Sequence, residues 1–151
     1  VWMTDVSTDA LDVARANAVG TGVAGAGARF ATGPWFAALP GDLRGLLHLV
    51  VSNPPYIPMW AVPRDPEVHL HEPAEALYGG DDGMQFVDAV VIAARELLKS
   101  GGLLVIEHGD VQGEDGDVSV PRRVRELGGF GSVADHLDLA GRPRYTTAVR
   151  D

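Results

Sequence analysis

The chain has 151 residues and a formal net charge of −9, from 12 Lys and Arg against 21 Asp and Glu. This length suits one domain, and 46% hydrophobic with 22% charged residues is typical of a folded globular protein. The lack of cysteine excludes disulfides and zinc–thiolate sites, the acidic balance disfavours a nucleic-acid partner, and no apolar run reaches the roughly 20 residues of a membrane helix.

The first half of the chain predicts strands alternating with a helix. In chain order we expect a strand over residues 1–4, a helix capped by Ser7 and running to Asn17, a strand over 28–32, a short helix or turn over 34–39 and a strand over 47–52. The last is a continuous apolar run, as in a strand buried on both faces of a parallel sheet. It must end at Asn53, because two prolines follow.

The second half predicts a long connection, two helices and three strands. In chain order we expect an aperiodic connection over 57–82, a helix over 83–99, a strand over 103–107, a helix over 119–127, and strands over 133–137 and 145–149. Asp82 suits the start of the first helix, and Lys99 and Gly101 suit its last turn and its end. This order indicates an α/β fold with a mostly parallel sheet and an antiparallel C-terminal strand.

Residues 20–25 spell Gly-x-Gly-x-x-Gly, the dinucleotide-binding pattern. That pattern binds phosphates only between a strand and the helix that it opens. Here it follows a predicted helix and precedes a strand, so we interpret it as a connecting loop. Two further patterns, His69-x-His71-Glu72 and the acidic residues 113–117, lack the remaining ligands of a metal site. We therefore expect no metal centre.

Asp5 ends the first predicted strand at the carboxyl edge, where open α/β sheets bind ligands. A carboxylate in that place can accept two hydrogen bonds from a ribose diol. An aspartate before a helix can equally be a turn or capping residue, and the sequence leaves both interpretations open.

The strongest pattern is Asn53-Pro54-Pro55-Tyr56, directly after a predicted buried strand. The prolines restrict the backbone and hold its carbonyls in fixed directions. The Asn53 amide adds an acceptor and two donors, and Tyr56 offers an aromatic face for a planar group. These groups fit a planar –NH2 whose nitrogen must be oriented for attack.

This motif resembles that of the class I S-adenosylmethionine-dependent methyltransferases that alkylate planar amino or amide nitrogens. Other stretches are similar to those of the release-factor glutamine methyltransferases: Glu72-Pro73, Ala76-Leu77, Gly79-Gly80, Asp82-Gly83, Glu107-His108-Gly109 with Gln112, and Asp138-Leu139-Ala140-Gly141-Arg142-Pro143-Arg144. The resemblance covers almost the whole chain. It implies a Rossmann-like class I methyltransferase sheet, with residues 1–151 as the C-terminal part of a single catalytic domain.

For the cofactor, the resemblance implies S-adenosyl-L-methionine. Asp5 matches the acidic residue that holds the ribose hydroxyls, and Trp35 matches an aromatic residue beside the adenine. Pro34 and His48 depart from the family, which often has Asp at both places.

For the substrate, the resemblance implies a glutamine side chain of a peptide chain release factor, hence a cytoplasmic enzyme. Asn53, Pro54, Pro55 and Tyr56 match the segment that receives this glutamine, and Asn53 also lies close to the cofactor. The Asn53 side-chain oxygen and the Pro54 carbonyl would accept the two amide hydrogens.

The chain opens at Val1, so the first strand and the Gly-rich loop of the family are not among its residues. In this fold that strand lies between the strands predicted at 1–4 and 47–52. Each buried backbone group left unpaired costs about 1–3 kcal/mol. We therefore expect these 151 residues alone to be marginally stable, or to form a non-native dimer through the open strands.

Two alternatives stay open. The first keeps the fold and changes the substrate to the amino group of DNA adenine or ribosomal RNA guanine, although the net charge and the stretch from Glu72 to Gly83 argue against it. The second is an inactive truncated remnant, for which the start at Val1 is the observation.

Overall fold

The computed structural model describes residues 1–22, 27–63 and 66–151. The Gly-x-Gly-x-x-Gly pattern therefore lies partly outside the described residues. Contacts divide the chain into two compact units, Val1–Leu43 and Arg44–Asp151. Each unit has its own sheet.

The described chain contains all the predicted strands and helices in the predicted order, with two further short helices after β3. The strands are β1 Trp2–Asp5, β2 Arg29–Thr32, β3 Leu47–Ser52, β4 Leu98–Glu107, β5 Phe130–Leu137 and β6 Pro143–Arg150. The helices are α1 Thr8–Gly20, α2 Pro66–His71, α3 Ala74–Leu77, α4 Gln85–Leu97 and α5 Val120–Leu127, with short 3-10 turns at Gly41–Leu43 and Asp110–Gln112.

The first unit is a β–α–β arrangement in which β1 and β2 pair in parallel and α1 connects them. The Ser7 hydroxyl accepts a hydrogen bond from the Ala10 N–H at 3.2 Å, which confirms the predicted cap. The helix continues three residues beyond the predicted end, to Gly20. Residues 34–39 form turns, as expected.

The second unit is a four-stranded sheet in the order β3-β4-β6-β5. β3 and β4 are parallel, and β6 runs antiparallel to both of its neighbours. Three of the four strands of this sheet, β3, β4 and β5, therefore run in one direction, and β6 runs in the other. This confirms the predicted α/β class, the mostly parallel sheet and the antiparallel C-terminal strand.

The core of the second unit lies where α4 and α5 pack on the sheet. Apolar side chains at helical spacing on α4, and at alternate positions on β4, are almost fully buried: Val87, Val90, Val91 and Ala94, with Leu104 and Ile106. Ser119 caps α5 by accepting from the Arg122 N–H at 3.3 Å, with Pro121 in the first turn as predicted.

The prediction that β3 is buried on both faces is wrong. Val50 is only 4% exposed, but Leu49 and Val51 are 51% and 64% exposed. Side chains alternate across a strand, so the two exposed residues share the face opposite to Val50. Among the described residues β3 pairs only with β4 and β1 only with β2, so each has an open edge.

The connection over 57–82 is more regular than predicted, because it contains α2 and α3. Pro66 is the first residue of α2, and Pro73 immediately precedes α3. Proline has no N–H to lose at a helix start and its φ already fits, so these prolines open helices rather than exclude them.

The boundary between α4 and β4 also differs from the prediction. The helix ends at Leu97 rather than Lys99, and β4 begins at Leu98, which is only 3% exposed and pairs with Leu47. Burial of Leu98 in the sheet therefore ends the helix before Gly101 is reached. At the other end, Asp82 accepts from the Met84 N–H at 2.9 Å, one residue before the helix.

Candidate functional site

The Asn53–Tyr56 segment leaves β3 at the carboxyl edge of the second sheet. Ser52, the last residue of β3, pairs with Ile106, so the segment begins beside the end of β4. The Asn53 side chain is exposed, Pro54 is fully buried, and Tyr56 is half-buried. The predicted position after a strand end is therefore confirmed, and an exposed amide stands beside a fixed backbone.

Beyond Tyr56, the backbone is hydrogen-bonded to residues 77–80, near the C-terminal end of the long connection. The Ile57 N–H donates to the Leu77 carbonyl at 2.9 Å, and the Gly79 N–H donates to the Ile57 carbonyl at 2.9 Å. The Met59 N–H donates to the Gly80 carbonyl at 2.9 Å. Residues 57–59 and 77–80 therefore form a small backbone clamp.

Glycine is required at Gly79 in the clamp and at Gly83 just beyond it, because the backbone of residues 55–56 approaches both positions closely. A Cβ at Gly79 would lie 2.5 Å from the Pro55 carbonyl oxygen. A Cβ at Gly83 would overlap the Tyr56 carbonyl oxygen, and Gly83 has a φ of +80°, a conformation that side chains rarely adopt. These requirements explain two glycines of the stretch that resembles the family.

Gln112 reaches the same segment from the turn after β4. Its Nε2 donates to the Tyr56 carbonyl at 3.1 Å, and its Oε1 accepts from the Gly109 N–H at 2.9 Å. Gln112 is only 3% exposed. The stretch Glu107-His108-Gly109 with Gln112 is therefore part of the support of Tyr56.

The charges of Glu107 and Arg144 act on the Tyr56 phenol. Burial raises the pKa of the phenol above its usual range, and the Glu107 carboxylate raises it further, whereas Arg144 lowers it. Tyr56 is therefore neutral at physiological pH. It serves as a fixed aromatic group with a hydroxyl donor and not as a base.

Asp138 accepts hydrogen bonds within the turn between β5 and β6, just before Arg144 in β6. Its Oδ1 accepts from the backbone N–H groups of Ala140 and Arg142 at 2.8 and 3.0 Å. The Arg142 N–H, followed by its guanidinium, lowers the pKa of the Asp138 carboxyl. Arg144 lies 3.8 Å from the same carboxylate. The closing Asp–Gly–Arg pattern thus holds a cation beside Tyr56.

Sequence reasoning missed the contact between His108 and Asp135. His108 is fully buried; its Nδ1 lies 2.9 Å from the Gly109 carbonyl and its Nε2 lies 3.3 Å from Asp135 Oδ1. Both neighbours are acceptors, so the ring donates to both only when both nitrogens carry a proton. Nothing local in the sequence pairs these residues, because α5 lies between them along the chain.

The first unit holds two of the three residues predicted to bind cofactor, Asp5 and Trp35, and the third, Asn53, lies in the second unit. Asp5 and the segment with Trp35 follow the carboxyl ends of β1 and β2, and the Gly33 N–H donates to the Asp5 carbonyl at 3.0 Å. The exposed Asp5 carboxylate accepts from the Ser7 N–H at 2.8 Å, as in a turn residue. A carboxylate has further acceptor sites, so a ribose diol can still bind.

Trp35 has a φ of +51°. This left-handed conformation is strained for a bulky residue and occurs mostly where the surroundings impose it. It directs the backbone around the turn that follows β2.

Among the described residues, no three His, Cys, Asp or Glu side chains cluster in a way that could hold a metal ion. The side chain of His69 lies outside the described residues. Glu114, in the acidic stretch, is paired with Arg125 at 2.7 Å, which lowers the pKa of its carboxyl.

A polar surface cavity of about 370 Å³ lies at the start of α4 and α5. Asp88 and Arg123 in its wall bind each other through two hydrogen bonds of 2.6 and 2.7 Å. None of the predicted site residues lines this cavity, so we assign it no part in the site.

Comparison with known proteins shows related sequences. A release factor glutamine methyltransferase of Mycobacterium tuberculosis (strain CDC 1551 / Oshkosh) is 44% identical over 146 residues, which cover 97% of this chain and 45% of that protein. The protein of the same name from Streptomyces coelicolor (strain ATCC BAA-471 / A3(2) / M145) is 40% identical over 150 residues, covering 98% of this chain and 50% of that one. The chain thus spans about half the length of these relatives. No family model matches it.

Two solved structures share the fold. A methyltransferase from Pyrococcus furiosus has a TM-score of 0.62 at 20% identity, covering 99% of this chain and 61% of that chain. An rRNA methylase from Streptococcus thermophilus has a TM-score of 0.59 at 16% identity, covering 99% and 74%. These likenesses confirm a Rossmann-like methyltransferase fold. Among the described helices, none has the length and apolar character needed to cross a membrane.

Proposed function

Since the chain belongs to the release factor glutamine methyltransferase family, we propose that it forms the C-terminal part of a single methyltransferase catalytic domain. The complete domain transfers a methyl group to the side-chain amide of a glutamine in a peptide chain release factor, in the cytoplasm. The observation that carries this proposal is the 44% identity over 97% of the chain. The contacts of three family-like stretches around Tyr56 support it.

We propose S-adenosyl-L-methionine as the cofactor, which supplies an electrophilic methyl group on a sulfonium. Asp5 binds the ribose hydroxyls and Trp35 lies beside the adenine. The position of Asp5 at a carboxyl strand edge, with acceptor sites beyond its bond to Ser7, supports this role. Asn53 also lies close to the cofactor.

The substrate amide is a poor nucleophile because its nitrogen lone pair is delocalised into the carbonyl. Asn53 Oδ1 and the Pro54 carbonyl accept its two N–H hydrogens, which enriches the nitrogen and aims it at the methyl carbon. The sulfonium of a cofactor held by Asp5 and Trp35 would supply its methyl group to this nitrogen and leave as a neutral thioether, and the methylated amide would release one proton to water. Positioning of this kind supplies up to about 7–11 kcal/mol in favourable cases.

Pro55 and Tyr56 complete the acceptor segment. Pro55 restricts the backbone between the Pro54 carbonyl and Tyr56. The Tyr56 ring offers a face to the planar amide, and the half-buried position of Tyr56, whose carbonyl accepts from Gln112, supports this role. No side chain acts as a strong base before the attack.

Calorimetric titration and a methylation assay test the proposal. The proteins are this chain and a chimera, defined as the M. tuberculosis relative with its 146 matched residues replaced by those of this chain. We expect the chimera to bind S-adenosyl-L-methionine and to methylate a release factor, as detected by mass spectrometry. Methylation of an oligonucleotide instead would support the nucleic-acid alternative, and no activity on either would contradict the proposal.

Within the chimera, Asn53→Ala should lower the methylation rate about 100-fold, because one aimed acceptor contributes about 2.7 kcal/mol to the transition state. Affinity for S-adenosyl-L-methionine should fall far less. Asn17→Ala, a change at the other exposed asparagine of the chain, is the matched control and should alter neither. An unchanged rate in Asn53→Ala would remove Asn53 from its role.

A further inference from the structure

The side-chain amide of Gln112 uses both of its ends within the support of Tyr56. Its Nε2 donates to the Tyr56 carbonyl and its Oε1 accepts from the Gly109 N–H. At 3% exposure, water cannot easily replace either bond. A buried amide with both ends paired restricts the two backbone groups that it joins.

The Tyr56 carbonyl is the point at which the acceptor segment becomes fixed at its far end. At its near end, Ser52 is fixed in β3 by pairing with Ile106. Between these points two prolines allow little rotation about φ. With both ends fixed, the direction of the Pro54 carbonyl follows.

Neighbouring groups pack closely around the Gln112 amide, so no neighbouring side chain can take over its two hydrogen bonds. A Cβ at Gly83 would approach Gln112 Nε2 to 2.9 Å, so the backbone at Gly83 packs directly on the Gln112 amide. A Cβ at Gly109 would lie 3.6 Å from the Tyr56 ring. Gln112 therefore bridges the end of β4 and the acceptor segment where the two are already in contact.

We infer that Gln112 is a positioning residue, whose amide holds the Tyr56 carbonyl and thereby sets the direction of the Asn53 and Pro54 acceptors. The inference deepens the proposed function and rests on it, because the groups that Gln112 orients are the proposed acceptors of the substrate amide. Gln112 itself does not contact the substrate.

The bonding pattern suggests two substitutions with distinct outcomes. Gln112→Met has a similar length but makes neither hydrogen bond. Gln112→Glu keeps the acceptor for Gly109, but its carboxylate places a second acceptor against the Tyr56 carbonyl. When protonated, the same glutamate donates again through its hydroxyl and reproduces the native pattern. Burial should raise its pKa above the ordinary carboxyl range.

The first measurement is amide hydrogen exchange on the 151-residue chain as it stands. In Gln112→Met, the N–H of Gly109 and the N–H groups of Ile57 and Met59 should exchange about tenfold faster. In Gln112→Glu, the rate relative to the unsubstituted chain should fall towards one as the pH is lowered. The unsubstituted chain is the reference because the ionisable groups nearby, Glu107, His108 and Asp135, are the same in both proteins.

The second measurement is methylation kinetics in the chimera. Gln112→Met should lower kcat about 10- to 100-fold, as expected for misplaced acceptors, and leave KM for S-adenosyl-L-methionine within about twofold. Gln112→Glu should regain kcat at low pH relative to the unsubstituted chimera. A residue that only stabilises the fold would change neither this ratio nor the balance between kcat and KM in the folded protein.

Gln85→Glu is the matched control, because it makes the same change at the exposed start of α4. It should show neither the exchange effect nor the pH-dependent recovery. If Gln112→Met fails to fold, the pH series of Gln112→Glu decides alone. Unaltered exchange and kcat in Gln112→Glu at every pH would overturn the inference. An inactive unsubstituted chimera would reject the proposed function, while the exchange data would still show whether Gln112 holds Tyr56.

Discussion

The two compact units hold their candidate residues in different ways. In Val1–Leu43, Asp5 is bound to Ser7, two residues on, and its carbonyl holds the start of the turn with Trp35. In Arg44–Asp151, the carbonyl of Tyr56 accepts a hydrogen bond from Gln112, which lies 56 positions away in the sequence. The Asp5 carboxylate is therefore held by a residue close in sequence, whereas the support of Tyr56 exists only when the four-stranded sheet has formed.

This difference predicts where substitutions act. A change near Asp5 should affect binding and leave the fold intact. A change near Tyr56 should affect both, because the contacts that hold the acceptor segment also join distant parts of the unit.

The largest expected effect is that of Gly83→Ala. The new Cβ would overlap the Tyr56 carbonyl oxygen at a φ of +80°, so the clamp region must shift. We expect the free energy of unfolding of the second unit to fall by about 3 kcal/mol. Chemical denaturation measures this loss.

Gly141→Ala is its control, since Gly141 has a φ of +76° but no atom within 4 Å of the added Cβ. It should lose only about 1 kcal/mol from the backbone conformation. Equal losses in the two variants would show that the approach to Tyr56 contributes nothing.

The next effect concerns the open edge of β3, through which we propose that the chain forms a non-native dimer. Val51 is 64% exposed beside that edge, and a lysine there should weaken the dimer about 30-fold, or about 2 kcal/mol. Val13→Lys on α1, where the valine is 62% exposed, is the matched control. Sedimentation equilibrium reports both; a chain that is monomeric before substitution would refute the dimer.

The smallest effect is that of Asp5→Asn in the chimera. The amide oxygen still accepts from the Ser7 N–H, so the free energy of unfolding should change by less than about 0.5 kcal/mol. Affinity for S-adenosyl-L-methionine should fall about fivefold, because a neutral acceptor replaces a charged one. Asp9→Asn, an exposed change in the first turn of α1, should alter neither quantity. Unchanged cofactor affinity in Asp5→Asn would leave Asp5 with its turn role alone.

Local patterns in the sequence predict the structure correctly where the contact that sets an element's boundary joins residues close in sequence. The caps at Ser7 and Ser119 bind N–H groups three residues ahead, and the prolines after Asn53 end β3 directly. The fold class follows from the order of such elements. The positions of the predicted site residues at strand ends follow from the same order.

The sequence could not predict features that depend on what packs nearby. The apolar run of β3 suggests two covered faces, but Leu49 and Val51 are exposed. The hydrogen bond of Gln112 to Tyr56 and the contact of His108 with Asp135 join segments far apart in sequence. Periodicity and spacing do not predict such pairings, so only the family resemblance indicates Gln112.

The backbone clamp also bears on how this part of the chain can vary. Since residues 57–59 are hydrogen-bonded to 77–80, the ends of the intervening loop stay together whatever its length. Doubling such a loop adds only about 0.6 kcal/mol of closure entropy. Insertions and deletions there can therefore accumulate in evolution without moving Asn53, which leaves the chemistry constant while the loop surface diversifies.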